Sequence, residues 1–204
     1  MADIATQFPT TVGFEAVNFQ INTPTQSTET LSGKIRRVGL GVSFYTWEVK
    51  FPNLLALDAG TVNGFVAQAF GPQFSFEIIL PELSYTKAPN QTNTVPRASS
   101  SRAIGATSIP LTNCGATKNV LAAGDFVKFA NQSKVYMVTA PCVSDSSGNA
   151  TLFFSCPLVQ AVPLNTNLVI TAVPFTAILT EDSQSFDVGF GGITQMTLAM
   201  REVW

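Results

Sequence analysis

Alternation of apolar and polar positions is clearest between Lys34 and Phe51. There Tyr45, Trp47, Val49 and Phe51 fall on one side, and Phe44, Thr46, Glu48 and Lys50 on the other. A period of two sends successive side chains to opposite faces of a pleated strand, so this stretch predicts one long strand buried on a single face. Weaker alternation through Phe14, Ala16 or Val17, Phe19 and Ile21 predicts an earlier strand within Phe8–Ile21. The polar run Asn22–Thr30 after it reads as an exposed arm. Pro52-Asn53 stops the long strand, and Asn53 is placed to cap a helix through Phe70. Leu54, Leu57, Thr61 or Val62, Phe65 or Val66, and Ala69 or Phe70 recur there at helical spacing. Gly71-Pro72 ends the helix, and Phe74–Leu80, rich in aromatic and β-branched residues, predicts a buried strand.

The pattern breaks at Lys87. From there to Arg102 the chain is polar, contains proline and has no period, which reads as a linker. Short strands at hairpin spacing follow at Ile104–Leu111, Asp125–Phe129, Lys134–Ala140 and Ala150–Ser155. Their turns fall at Gly124-Asp125, Asn131–Ser133 and Asp145–Asn149. Strand patterning resumes at Val173–Leu179 and Ile193–Val203, separated by Gly189, Gly191 and Gly192, which suggest a bulge or close backbone packing. The expected fold is mainly β with one short α-helix. Residues 1–94 and 173–204 form a discontinuous β-sandwich-like domain, and residues 95–172 form an inserted small, barrel-like β module.

Composition narrows the chemistry. With 204 residues, 46% apolar and 12% charged, the chain is long and apolar enough to bury a core without disulfides or a structural metal. A net charge of −2 offers no basic field for a polyphosphate backbone, so nucleic acid is not an expected partner. Histidine is absent, which removes histidine-based triads, histidine-ligated metals and histidine general bases. No apolar run approaches the ~18 residues needed to span a bilayer, and Met1–Phe19 lacks the pattern of a secretory leader, so a cytoplasmic folding site is expected.

Specific constellations read as structural. Cys114, Cys142 and Cys156 have no CxxC spacing and fit buried free thiols, with a Cys142–Cys156 bridge across a hairpin as the alternative. Asp145–Asn149 lacks the ligand count of a calcium loop and reads as a hairpin turn. Gly189-Phe-Gly-Gly192 has neither the following Lys nor the helix of a phosphate cradle. Asp125, Asp145, Glu181, Asp182 and Asp187 are read as solvated or turn-forming carboxylates rather than an acid/base pair. Lys34, Arg36 and Arg37 form the densest basic cluster. It reads either as a solvated strand edge that discourages wrong pairing or as a salt-bridging subunit contact.

Several segments together resemble one family. Ser32-Gly-Lys-Ile-Arg-Arg37, Phe44-Tyr-Thr-Trp-Glu-Val-Lys-Phe-Pro52, the helix carrying Phe65, and Gly71-Pro72 leading to Phe74-Ser-Phe76 resemble the N-terminal domain of distal tail, or baseplate-hub, proteins of tailed bacteriophages. Met196-Thr-Leu-Ala-Met-Arg-Glu-Val-Trp204 is similar to that domain's closing strand. Leu121–Asp125, Lys134–Val138, Ser144–Leu152 and Cys156-Pro-Leu158 resemble small β modules of phage tail tips.

The resemblance implies a structural virion protein without catalytic site, cofactor or metal, assembled in the host cytoplasm and residing in the virion tail. It implies a cyclic ring of copies of this chain, hexameric in the family, joining the tail tube protein to hub, spike or fibre proteins. Candidate subunit-interface residues are Lys34, Arg36 and Arg37 with Asn22 and Thr30 at the ends of the polar arm. Tail-tube, tube-terminating and other structural virion proteins are the nearest alternatives. A carbohydrate-binding adhesin would need Trp47 or Tyr136 exposed to stack on sugar rings.

Overall fold

A computed structural model describes residues 6–89 and 93–204. The chain is mainly β with one α-helix, and it divides into two compact units. The first comprises residues 1–20, 45–84 and 174–204; the second comprises 21–44 and 85–173. Relative to the division expected from sequence, residues 21–44, 85–94 and 173 group with the second unit.

The first unit is built on a seven-stranded sheet. In spatial order its strands are Thr6–Gln7, Phe76–Ile78, Phe175–Leu179, Thr194–Glu202, Phe44–Lys50 and Ala16–Asn22, and Phe186–Val188 pairs with the first part of Thr194–Glu202. Thr6–Gln7 runs parallel to Phe76–Ile78, and both neighbours of Thr194–Glu202 in the main order are antiparallel to it. Register explains the buried face, because Trp47 lies opposite Met200 and Val49 opposite Leu198. One face therefore collects Tyr45, Trp47, Val49, Met196, Leu198, Met200, Phe175, Ala177 and Leu179, all buried. Thr46 and Glu48 take the other face, as the alternation predicts.

The helix Ala56–Ala69 buries Ala59, Val62, Phe65 and Ala69. Its Phe65 ring meets Phe8 and Phe76 edge-on, each with centroids 4.8 Å apart. It begins later than Asn53, which corrects the expected cap. Leu54 is buried and exchanges backbone hydrogen bonds of 3.0 and 2.9 Å with Thr194, so the chain stays extended through Leu55. The Asn53 side chain instead accepts a hydrogen bond from Gln195 Nε2 at 2.9 Å. Leu57 and Phe70, expected in the apolar stripe, are exposed. Phe70 adopts a left-handed conformation that ends the helix, ahead of a 3-10 turn over Gly71–Gln73.

Two further expectations are corrected. Lys34–Phe51 is two strands, Ile35–Gly39 and Phe44–Lys50, broken at Leu40–Ser43, where Gly41 takes a φ of 69°. The polar arm is exposed, as expected, but it is one strand of a hairpin and not a free segment. Thr25–Glu29 folds back antiparallel on Ile35–Gly39, with Thr28 opposite Arg36 and Ser27 opposite Arg37. Thr30 ties the turn, its hydroxyl lying 3.1 Å from the Lys34 carbonyl and 3.2 Å from the Lys34 amide.

Backbone pairing in the second unit closes into a barrel. Val135–Met137 pairs with Phe126–Phe129, which pairs with Leu168–Val169; Ala150–Phe153 pairs with Ser108–Thr112, which pairs with Arg97–Ala98. The two sets join at both ends. Arg97 bridges Asn167, with Ala98 N donating to Thr166 O at 2.9 Å, and Val138 bridges Phe154, with Ser155 N donating to Met137 O at 2.8 Å. Closure leaves these six strands no free edge, and Ile109, Leu111, Val127, Phe129, Tyr136, Leu152 and Leu168 fill the interior. Asn119–Leu121 and Cys142–Val143 add a small two-stranded sheet.

The supposed linker is therefore partly barrel wall. Arg97–Ala98 is a strand, and Arg102 exchanges two 2.9 Å backbone bonds with Val162. Its polar residues pair through the backbone, which side-chain pattern does not register. Residues 90–92 of that stretch lie outside the described residues.

Candidate functional site

Asp125 is buried rather than solvated. Its carboxylate accepts hydrogen bonds from the amides of Ala122 (2.8 Å) and Lys87 (3.1 Å) and from the Thr86 hydroxyl, and so ties the start of the second unit's main segment to the barrel. Asp145 organises its turn, accepting from the Ser147 and Asn149 amides at 2.8 and 2.9 Å. These bonds hold its carboxyl below the usual range. Glu181, Asp182 and Asp187 are exposed.

All three cysteines are free, so the Cys142–Cys156 bridge is not formed. Burial pushes the Cys114 thiol up to about 11, helped by the Asp145 charge, and the Cys142 thiol to about 12, helped by Cys114. Cys156 is partly exposed. Among the described residues, no three Cys, Asp or Glu side chains gather into a metal-holding group. No helix there is long and apolar enough to cross a membrane. Trp47 and Tyr136 are both buried, the latter donating its hydroxyl proton to Gln132 at 2.9 Å, so neither offers a ring face to a sugar.

What the structure does present is exposed β-hairpin, once in each unit. In the second unit, every residue of Thr25–Glu29 and Ile35–Gly39 is exposed. An isolated two-stranded ribbon is marginal in water, yet this one carries Leu31, Ile35, Val38 and Leu40 uncovered. Four of the five expected interface residues belong to it or its turn. Thr30 and Lys34 form the turn, and Arg36 and Arg37, adjacent on one strand, project to opposite faces of the ribbon. Asn22 sits apart from them, half-buried at the end of the strand Ala16–Asn22. The segment 22–44 holds three basic side chains and one acidic one, Glu29.

In the first unit, Phe186–Val188 pairs with the start of Thr194–Glu202 through a loop in which Gly191 and Gly192 take φ of 78° and 76°. The glycine cluster is therefore a hairpin loop, closed by Gly189 N donating to Ile193 O at 2.7 Å, not a bulge. Nothing crowds Gly191 or Gly192, so conformation and not close packing calls for glycine there. Phe186, Val188, Phe190 and Ile193 are exposed on this hairpin, Phe190 completely. Sequence reasoning missed these four; the signal was Phe-Asp-Val alternation running into a glycine loop with an apolar tip.

Residues 180–193 contain Glu181, Asp182 and Asp187 and no basic residue. Beside the hairpin lies a cleft of about 620 Å³, lined by Asp187, Ser185, Asn53, Gln195 and the Lys50–Glu15 ion pair at 2.9 Å.

No protein-family model matches the chain, and no curated protein matches it significantly.

Proposed function

We propose that this protein is a non-enzymatic structural component of a tailed-phage virion: a ring-forming distal tail or baseplate-hub protein that links the tail tube to tip, spike or fibre proteins. The observation that carries the reading is the pair of exposed hairpins, one per unit, whose large apolar side chains stay partly or fully exposed among the described residues. A soluble protein that acts alone has little reason to expose two such ribbons, whereas a subunit with a different face toward each neighbour does. The sequence resemblance supplies the particular assembly. The barrel and the sheet supply rigid bodies for those ribbons to project from. The chain then works by lending surface to its own copies and to adjoining tail proteins.

Tail-tube and tube-terminating proteins remain the nearest relatives of this reading in kind. An adhesin reading has less support, because the two rings it required are buried. Antibody raised against the purified chain should label tailed particles at the distal end of the tail by electron microscopy. Label along the whole tail would replace the hub reading by a tube reading, and particles without label would overturn both.

A further inference from the structure

The two exposed hairpins are opposite in charge. The segment 22–44 carries Lys34, Arg36 and Arg37 against Glu29, a net of +2. The segment 180–193 carries Glu181, Asp182 and Asp187, a net of −3. Each also exposes apolar side chains: Leu31, Ile35, Val38, Leu40 and Val42 in the basic segment, and Phe186, Val188, Phe190 and Ile193 in the acidic one. Apolar area flanked by charges of opposite sign on the two partners is the composition of a specific protein contact, in which burial stabilises and charge sets register and partner.

We propose that the occupant of each surface is a second copy of this chain. The basic hairpin Thr25–Gly39 of one copy seats on the acidic hairpin Phe186–Ile193 and the Glu181-Asp182 corner of the next. The inference rests on the ring-forming reading above and deepens it by naming the two faces. Because the faces differ, the contact is head-to-tail, and it propagates around a ring when the rotation closes. Asp187, itself exposed, lines the cleft beside its hairpin, which gives a guanidinium a carboxylate to pair with. Arg36 and Arg37 point to opposite faces of their ribbon, so only one of them enters that site.

The test uses two full-length variants. R36E/R37E makes the first hairpin acidic, and E181K/D182K/D187K makes the second face basic; both sets of positions are exposed, so far-UV circular dichroism should match wild type. Each variant alone should raise the apparent dissociation constant of assembly at least ~tenfold at low salt. An equimolar mixture should assemble again, because every contact in an alternating ring then joins opposite charges.

Carbodiimide coupling gives a second readout that does not depend on the variants. In a mixture of 14N- and 15N-labelled wild-type chains, Lys34 should be linked to Glu181, Asp182 or Asp187 of a different copy. Variants that each assemble like wild type, a mixture that fails to recover, or Lys34 links confined within one chain would each overturn the inference while leaving ring formation standing. A wild-type chain that stays monomeric at every concentration would instead remove the ring reading itself.

Discussion

Replacing Phe65 by alanine tests which side of the helix faces the sheet. Phe65 is 5% exposed, and its ring is wedged edge-on between Phe8 and Phe76. Truncating a buried phenylalanine to alanine costs about 3–5 kcal/mol, and two aromatic contacts of about 0.5–1.5 kcal/mol each place this site toward the upper end. For a unit of roughly 90 residues, 1 kcal/mol corresponds to roughly 5 °C in melting temperature, so Phe65→Ala should lower the transition by about 20–25 °C. Leu57 lies on the same helix and has the same apolar character, but it is 83% exposed. Leu57→Ala should therefore stay within about 0.5 kcal/mol of wild type. Calorimetry with fluorescence of the buried Trp47 reads both variants, each in the same state of assembly as wild type. Equal losses at the two positions, or a larger loss at Leu57, would show that the helix packs through the stripe that spacing alone suggested.

Three other changes probe separate parts of the argument. Asp125→Ala strands the amides of Ala122 and Lys87 and should destabilise the second unit by about 2–4 kcal/mol, with amide hydrogen exchange accelerating at those two residues. In the native protein at pH 8, iodoacetamide should modify Cys156 well ahead of Cys114 and Cys142, and all three should react after denaturation. Because Cys114 and Cys142 hold their protons up to about 11 and about 12 when folded, against an ordinary value of 9.0, their contribution to stability is intact below pH 9. It falls as pH rises from 9 through those values, which Cys142→Ala should blunt in alkaline melts. Gly71→Ala would set a methyl 3.3 Å from Asp182 Cα at a φ of 62° and should cost more than Gly192→Ala, which at a φ of 76° in open space carries the left-handed penalty alone, about 1–2 kcal/mol; thermal melts compare them.

The parts of the fold legible from sequence are those where side chains carry the signal. Tyr45, Trp47, Val49 and Phe51 are large and regularly spaced, so one face of that strand could be read directly, and Phe65 and Val62 placed the helix. The hairpin over Thr25–Gly39 was hidden because both of its faces are solvated, leaving no alternation to mark it; its basic cluster was visible, its shape was not. Helix onset was misread because a tertiary pairing, Leu54 with Thr194, outweighed the capping preference of Asn53. Barrel closure depends on backbone bonds between residues as distant as Arg97 and Asn167, which no local pattern encodes. For the same reason the turn at Ala122–Asp125 is legible but the burial of its carboxylate is not: the partners that enclose it include Thr86 and Lys87, far away in sequence. The acidic hairpin is not legible because Phe186, Val188 and Phe190 face solvent, so no buried face imposes a pattern on them.

Whether this chain acts by association is read most directly from its mass in solution. Gel filtration coupled to multi-angle light scattering should give a discrete, concentration-dependent multiple of the 21.8 kDa chain, near 131 kDa for six copies, that dissociates as salt is raised. A particle of 21.8 kDa at every concentration and ionic strength would contradict the account.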